Sequence, residues 1–224
     1  MATVDLERIQ RQLVEEAPTT RPFSVADAAE RVAGFVLLAT ASPVIAASAL
    51  AMAGLSRRSP FVAHLRVGKD GKPFWTWKIR TMWVEGEPAP ARAAWVQYIV
   101  ADPIQDGKDR SDPRVGGWFA AFCRRHSIDE LPQLWHVFRG EMSLVGPRPL
   151  TRFEVLRYYQ DKAAELLSVK PGLTGLWQVF GRSAIKFPER AAMDLRLVRT
   201  LNPKLYIQVL LRTIPAVIRG SGAW

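Results

Sequence analysis

From Val32 to Leu55 the chain carries no charge, reading VAGFVLLATASPVIAASALAMAGL. Wound as one helix, this run is about 36 Å long, enough for a bilayer core of roughly 30 Å. Pro43 stands near its middle, where the ring removes a helix hydrogen bond and crowds the preceding turn. Ser42 is pushed toward extended angles by the proline that follows it, although its hydroxyl can satisfy freed backbone groups. The two arms are then roughly 17 Å each, about half a bilayer. Arg31 precedes the run and Arg57 and Arg58 follow it, which favours the cytoplasmic side for both ends. A kinked spanning helix and a helix that enters, turns at Ser42-Pro43 and returns both fit this pattern. Upstream, Ser24 to Asp27 has the spacing of a capping box and starts the helix. Pro18 to Pro22 reads as a linker after a charged first segment, which lacks the early apolar run of a cleaved signal peptide.

Beyond the run, Phe61–Val67 alternates as a strand, Gly68 to Gly71 makes a turn, and Phe74 to Thr81 returns. On the second strand Trp75, Trp77 and Ile79 share one face; Phe74, Thr76, Lys78 and Arg80 share the other. Residues 85–113 are rich in Pro, Asp and Gly around a short apolar piece, Ala93 to Val100, and read as a connection. Trp118 to Arg139 is helical in pattern with a break near Ser127. Either Ser127, in a capping box with Glu130, or Asp129 starts the second helix, which stops at Gly140. SLVGPRP (Ser143 to Pro149) is an extended loop, Thr151 to Leu167 a helix, and Leu205 to Ile218 an apolar segment interrupted by Arg212 and Pro215. That last segment is too short to span and suits an interfacial helix. One hairpin among many helices predicts an α+β fold.

Charge changes this picture. The 224 residues hold 31 Lys and Arg against 21 Asp and Glu, a formal charge of +10, so an anionic partner is expected: a membrane surface, a phosphate-rich substrate or nucleic acid. The basic residues are dispersed and form no recognised nucleic-acid module, which excludes that partner. Cys123 is the lone cysteine and reads as a small core residue. Paired His spacings, the GxxxxGK[ST] loop and the dinucleotide fingerprint are all missing.

Asp129 and Glu130 are adjacent carboxylates at a helix start, where backbone N–H groups favour a phosphate. A carboxylate attacking phosphorus splits one transfer into two steps through an acyl phosphate. Such a site needs a divalent cation and nearby basic groups. Arg124, Arg148 in the Gly-Pro-Arg-Pro loop, and Lys78 with Arg80 are suitable donors. By spacing alone, a residue placed like Asp129 is more often a simple helix cap.

Several blocks in order then resemble one family, the bacterial sugar transferases or small monotopic phosphoglycosyl transferases. The blocks are Ser42-Pro43, RVGKDGKPF with KIRTM (Lys78 to Met82), SDPRV, IDELPQLW (Ile128 to Trp135), RGEMSLVGPRPL (Arg139 to Leu150) and KPGLTGLWQVFGR (Lys170 to Arg182). The resemblance implies a mainly helical, membrane-associated catalytic domain with a small β-hairpin or sheet, and a re-entrant helix broken at Ser42-Pro43. It implies three parts: a charged segment and linker over 1–23, the membrane helix over 24–57, and an interface-bound domain over 58–224. It also implies that Asp129 attacks the β-phosphate of a UDP-sugar, mildly favouring an unmodified hexose such as galactose or glucose, and releases UMP. Undecaprenyl phosphate then takes the phosphosugar, the initiating step of exopolysaccharide or other glycoconjugate assembly. Glu130 assists and, with Asp129, holds Mg2+; Lys78, Arg80, Arg124, Arg148, Gln178 and Arg182 bind phosphate or substrate. The implied location is the cytoplasmic face of a bacterial inner membrane, among its lipids. The family's Tyr-Asp segment becomes Met193-Asp194 here, and a later Asp becomes Tyr206. A metal or phosphate site missing one carboxylate, with Asp194 as a substitute, is one consequence. A weakened homologue serving as a membrane scaffold is the alternative.

Overall fold

The computed structural model describes residues 24–83, 95–99, 112, 114–181 and 185–220. The first segment and linker, most of the connection over 85–113, and Arg182 lie outside these residues. Helix α1 (Val25–Ser56) opens on the expected capping box, in which Asp27 N donates to Ser24 Oγ and Ser24 N to the Asp27 carboxylate. It does not end at Ser42-Pro43. Helical structure continues through the proline, and the expected break is corrected here to a local repair. Pro43 has no N–H for the carbonyl of Ala39, and the Ser42 hydroxyl donates to that oxygen at 2.8 Å instead.

Packing supplies the rest of the reason. Ala33, Leu38 and Ala41 lie against Leu134, Val137, Met142 and Leu144, while Ile45 and Met52 join Ile79, Ala120 and Cys123. From Leu38 on, these positions are three, four and seven residues apart and make one face. Gly34 allows the closest approach: a Cβ there would lie 2.9 Å from the Phe138 amide nitrogen. The opposite face leaves Val32, Phe35, Val36, Val44, Leu50 and Leu55 exposed. The N-terminal end is also polar-tied to the domain. Lys170 Nζ meets Asp27 at 2.6 Å, and Glu30 accepts from Ser143 Oγ at 2.5 Å, from the Leu144 amide at 2.8 Å and from the Tyr206 hydroxyl.

Strands β1 (Phe61–Val67) and β2 (Pro73–Ile79) form the expected antiparallel hairpin, with Val62 opposite Lys78 and His64 opposite Thr76. The intervening turn uses a left-handed Asp70, φ 56°. The apolar piece within the connection supplies β3 (Val96–Ile99), which runs parallel to β1. A second sheet pairs β4 (Ser143–Val145), taken from the sequence as loop, with β5 (Gly172–Thr174). Glycine makes this pairing possible, because a Cβ on Gly172 would lie 2.0 Å from the Gly146 nitrogen. Both ends of the GPRP loop and the KPG turn are thereby fixed side by side.

The pattern over Trp118 to Arg139 resolves into α2 (Gly117–Arg125), a 3-10 turn (Ile128–Gln133) and α3 (Leu134–Arg139). Neither Ser127 nor Asp129 caps it. Ser127 is left-handed at φ 56° and makes no side-chain cap, so both expected caps are corrected. The helix expected from Thr151 to Leu167 is likewise split by the left-handed Gln160 into α4 (Arg152–Tyr158) and α5 (Ala163–Leu167). Then come α6 (Leu176–Phe180), α7 (Phe187–Thr200) and α8 (Pro203–Arg219). On α8, Val209 and Leu210 pack with Val145, Leu176 and Leu197, while Ile207, Leu211, Ile214 and Ile218 line the exposed side. The α+β architecture stands as expected.

Candidate active site

The 3-10 turn Ile128–Gln133 is wedged against β2 and α1. With three residues per turn, successive side chains leave it about 120° apart, so Asp129 and Glu130 face different surroundings. Glu130 turns into a cleft, where Oε1 meets Lys78 Nζ at 2.6 Å and Arg148 Nη1 at 3.5 Å. Asp129 is 7% exposed and lies toward Cys123, whose thiol is pushed up to about 11, first by burial and then by the Asp129 charge.

Arg66, Lys78, Glu130, Gln133, Arg148 and Gln178 line the cleft. Burial pulls the Lys78 ammonium below its ordinary range, and Glu130 opposes that pull by holding the proton. Gln178 Nε2 donates to the Leu173 carbonyl at 3.1 Å, while its Oε1 is buried and makes no hydrogen bond among the described residues. Arg66 and Gln133 escaped the sequence reading. The hairpin register carries the signal for Arg66: Val62 is opposite Lys78 and Arg66 is opposite Phe74, so Arg66 shares the Lys78 face.

The model of the family described as "Bacterial sugar transferase" matches residues 23–220. The chain belongs to this family. The transferase is 38% identical over 172 residues to the UDP-galactose-lipid carrier transferase of Erwinia amylovora, covering 74% of this chain and 35% of that protein. It is 38% identical over 173 residues to the exopolysaccharide production protein ExoY of Sinorhizobium fredii, covering 74% and 73%. It is also 38% identical over 167 residues to the undecaprenyl-phosphate galactose phosphotransferase of Salmonella typhimurium, covering 72% and 34%. The transferase thus spans about a third of the first and third of these relatives and about three quarters of ExoY.

Not every expected site residue of the transferase reaches the cleft. Arg80 lies beyond the end of β2, its Nε donating to the Ser59 carbonyl at 2.7 Å and its Nη2 to Gln97 at 2.5 Å. Burial holds it down to about 10, with Arg58 adding repulsion. Its placement braces β2 against β3 and separates it from Lys78. Arg124 Nη1 approaches Thr81 Oγ1 at 3.4 Å and does not line the cleft. Tyr206 donates to Glu30 and is likewise absent from the lining; burial raises its phenol well above the usual value.

Asp194 is buried elsewhere. Its Oδ2 accepts from the Tyr159 hydroxyl at 3.0 Å, and burial pushes it up to about 7. The Trp177 indole and the Arg148 backbone lie near enough to limit that rise, yet Trp177 Nε1 and Asp194 Oδ1 complete no hydrogen bond among the described residues. Asp194 therefore sits behind Arg148 and does not replace a dyad carboxylate. Among the described residues, no cluster of three His, Cys, Asp or Glu is poised to hold a metal. Asp129 does not line the cleft, so of the two expected metal carboxylates Glu130 is the one facing a Mg2+ that would arrive on a diphosphate, an ion that commonly takes one or two carboxylates and fills its shell with phosphate and water oxygens.

Proposed function

We propose that the transferase moves a sugar 1-phosphate from a UDP-sugar to undecaprenyl phosphate through a covalent Asp129 intermediate, in exopolysaccharide assembly. The observation that carries this reading is the Lys78–Glu130–Arg148 constellation beside Asp129. It places cations where phosphate charge accumulates, next to a carboxylate nucleophile. The relatives' names, which include a UDP-galactose-lipid carrier transferase and an undecaprenyl-phosphate galactose phosphotransferase, support it. They also make galactose the first sugar to test.

In the first step an Asp129 oxygen bonds to the β-phosphorus, the bond from that phosphorus to the bridging oxygen breaks, and UMP leaves with the electron pair. In the second, a phosphate oxygen of undecaprenyl phosphate attacks the same phosphorus and the acyl-phosphate bond breaks, restoring the carboxylate. Lys78 and Arg148 neutralise the equatorial oxygens in both steps, and Glu130 holds Lys78 protonated. A Mg2+ arriving with the donor would be held by Glu130 and the diphosphate oxygens and would supply further charge neutralisation.

Helix α1 serves the lipid substrate. Its two ends are tied to the same domain, at Glu30 and Met52, while its outer face is apolar. That arrangement supports a helix that rests its apolar outer face in the cytoplasmic leaflet while its inner face stays on the domain. The scaffold reading remains the alternative; the presence of Glu130, Lys78 and Arg148 in the cleft favours the transferase.

The test mixes purified protein in nanodiscs with a panel of UDP-sugars and Mg2+, without acceptor. A burst approaching one UMP per enzyme, lost in Asp129→Asn, is expected with one hexose donor. Steady release unaffected by Asp129→Asn, or no release with acceptor present, would overturn the reading.

A further inference from the structure

Beside the cleft, one aromatic ring carries two guanidinium groups. Arg190 Cζ lies 4.8 Å from the Trp177 ring centroid and Arg148 Cζ 5.7 Å from it. Trp177 is buried, 7% exposed, so the ring is a fixed shelf. Arg190 is further pinned by its Nε, which donates to the Ile185 carbonyl at 2.7 Å.

The charges have an order. Lys78 feels Glu130, Arg148 and Asp129. Arg190 feels Arg148, Asp194 and Glu154. Arg148 is the neighbour common to both, reaching Glu130 on one side and sharing the Trp177 ring with Arg190 on the other. Three cations thus form a row, Lys78, Arg148, Arg190, with the nucleophile at the Lys78 end. Glu130 at one end and Asp194 and Glu154 at the other offset part of this charge, and Arg148 carries the row from the cleft lining to Arg190 and Trp177 behind it. A diphosphate, an anion with two charge centres in a row, matches the cations that remain.

We propose that Arg190, shelved on Trp177, binds the α-phosphate of the nucleotide-sugar donor, the phosphate that departs in UMP. Lys78 then serves the β-phosphate beside Asp129, and Arg148 bridges the two. This assignment rests on the donor reading of the cleft and adds a residue and a division of labour to it. A planar guanidinium stacked on an aromatic ring is preorganised for two-point contact with phosphate. Its consequence is asymmetric: the α-phosphate is present only while the enzyme is being loaded, so Arg190 acts in the first half-reaction and is idle in the second.

The experiment separates those halves in nanodisc-held protein, comparing the parent chain with Arg190→Gln, Arg190→Lys and Lys78→Met. Calorimetry reads UMP affinity with Mg2+ present. Rapid quench reads loading from donor, and then transfer from the isolated phosphosugar enzyme to undecaprenyl phosphate. For Arg190→Gln the expected result is about tenfold weaker UMP binding and about tenfold slower loading at low donor, with the transfer step within about twofold of the parent. Arg190→Lys restores part of the UMP affinity by retaining the charge. Lys78→Met slows both halves. Unchanged UMP affinity in Arg190→Gln, or equal slowing of both halves, overturns the proposal, the latter marking Arg190 as merely structural. If Arg190→Gln does not fold, the Arg190→Lys profile decides: loading slowed with transfer intact supports the assignment, and both slowed alike refutes it. If the parent never loads, the covalent reading fails while UMP calorimetry still judges Arg190.

Discussion

Asp194 shows how far one side chain's surroundings determine its chemistry. It is 1% exposed, bonded to Tyr159, and raised from 3.8 to about 7 chiefly by burial. Trp177, Arg148 and Arg190 are its other polar neighbours. In the unfolded chain this carboxyl ionises near 3.8, and in the folded chain near 7. Between those values the native state binds the extra proton, so the group's contribution to stability is present at low pH and is lost as pH rises from about 4 to about 7. The shift is worth on the order of 4 kcal/mol. Unfolding measured across that window should show the parent losing stability relative to Asp194→Asn, whose own curve lacks this component. Parallel curves for the two proteins would show that the carboxyl ionises normally. The sequence revealed Asp194 as part of an altered motif but gave no means of seeing its depth. Burial of a single helical Asp depends on what three other segments, carrying Tyr159, Trp177 and Arg148, place around it. The meeting of Glu130, Lys78 and Arg148 was legible because their motifs are local; the stacking of Arg190 was not, since it depends on a ring thirteen positions earlier in the chain.

Among the elements, α1 departs furthest from expectation. Proline predicted a break, and the local chemistry is sound: the amide is missing, and its acceptor is claimed by Ser42. What pattern reading lacked was the continuous packed face on α3 and α2, which keeps the helix in register across the proline. The same blindness applies to β4 and β5, three residues each, too short to show alternation. By contrast the hairpin, the stop at Gly140 and the C-terminal helix carry strong local signals and were read correctly. At this scale Tyr206 has a consequence of its own. Tyr206→Phe removes one donor from Glu30 while Ser143 and Leu144 remain, and should cost about 1–2 kcal/mol. Tyr206→Asp, which restores the residue usual in the family, sets a second carboxylate against Glu30 and should cost more. Thermal unfolding of the two variants orders them, and equal melting temperatures would show that the α1–α8 contact bears little load.

At the scale of the whole molecule, two outward-facing apolar stripes lie on its longest helices: the free side of α1 and Ile207, Leu211, Ile214 and Ile218 on α8. With a net charge of +10, attachment to an anionic bilayer combines burial of apolar area with electrostatic attraction. The apolar part dominates at high ionic strength, where charges are screened beyond about 3 Å. Flotation with liposomes should therefore retain the parent in 1 M salt, whereas Leu211→Glu combined with Ile214→Glu should shift protein to the soluble fraction at every salt concentration. Retention of that variant would place α8 away from the lipid.

The carboxylate of Glu30 sits on the membrane helix yet completes the hydrogen bonding of β4 through the Leu144 amide and Ser143 hydroxyl. Further along the same helix, Met52, fully buried, fills a cluster with Ile79 and Cys123. A protease that cuts in the linker after Arg57 would not release a working soluble domain. It would strip three donors of their acceptor and open the core beneath the dyad. For this architecture the helix that carries the apolar outer face is also part of the folded core, and stripping it from the domain is a form of denaturation.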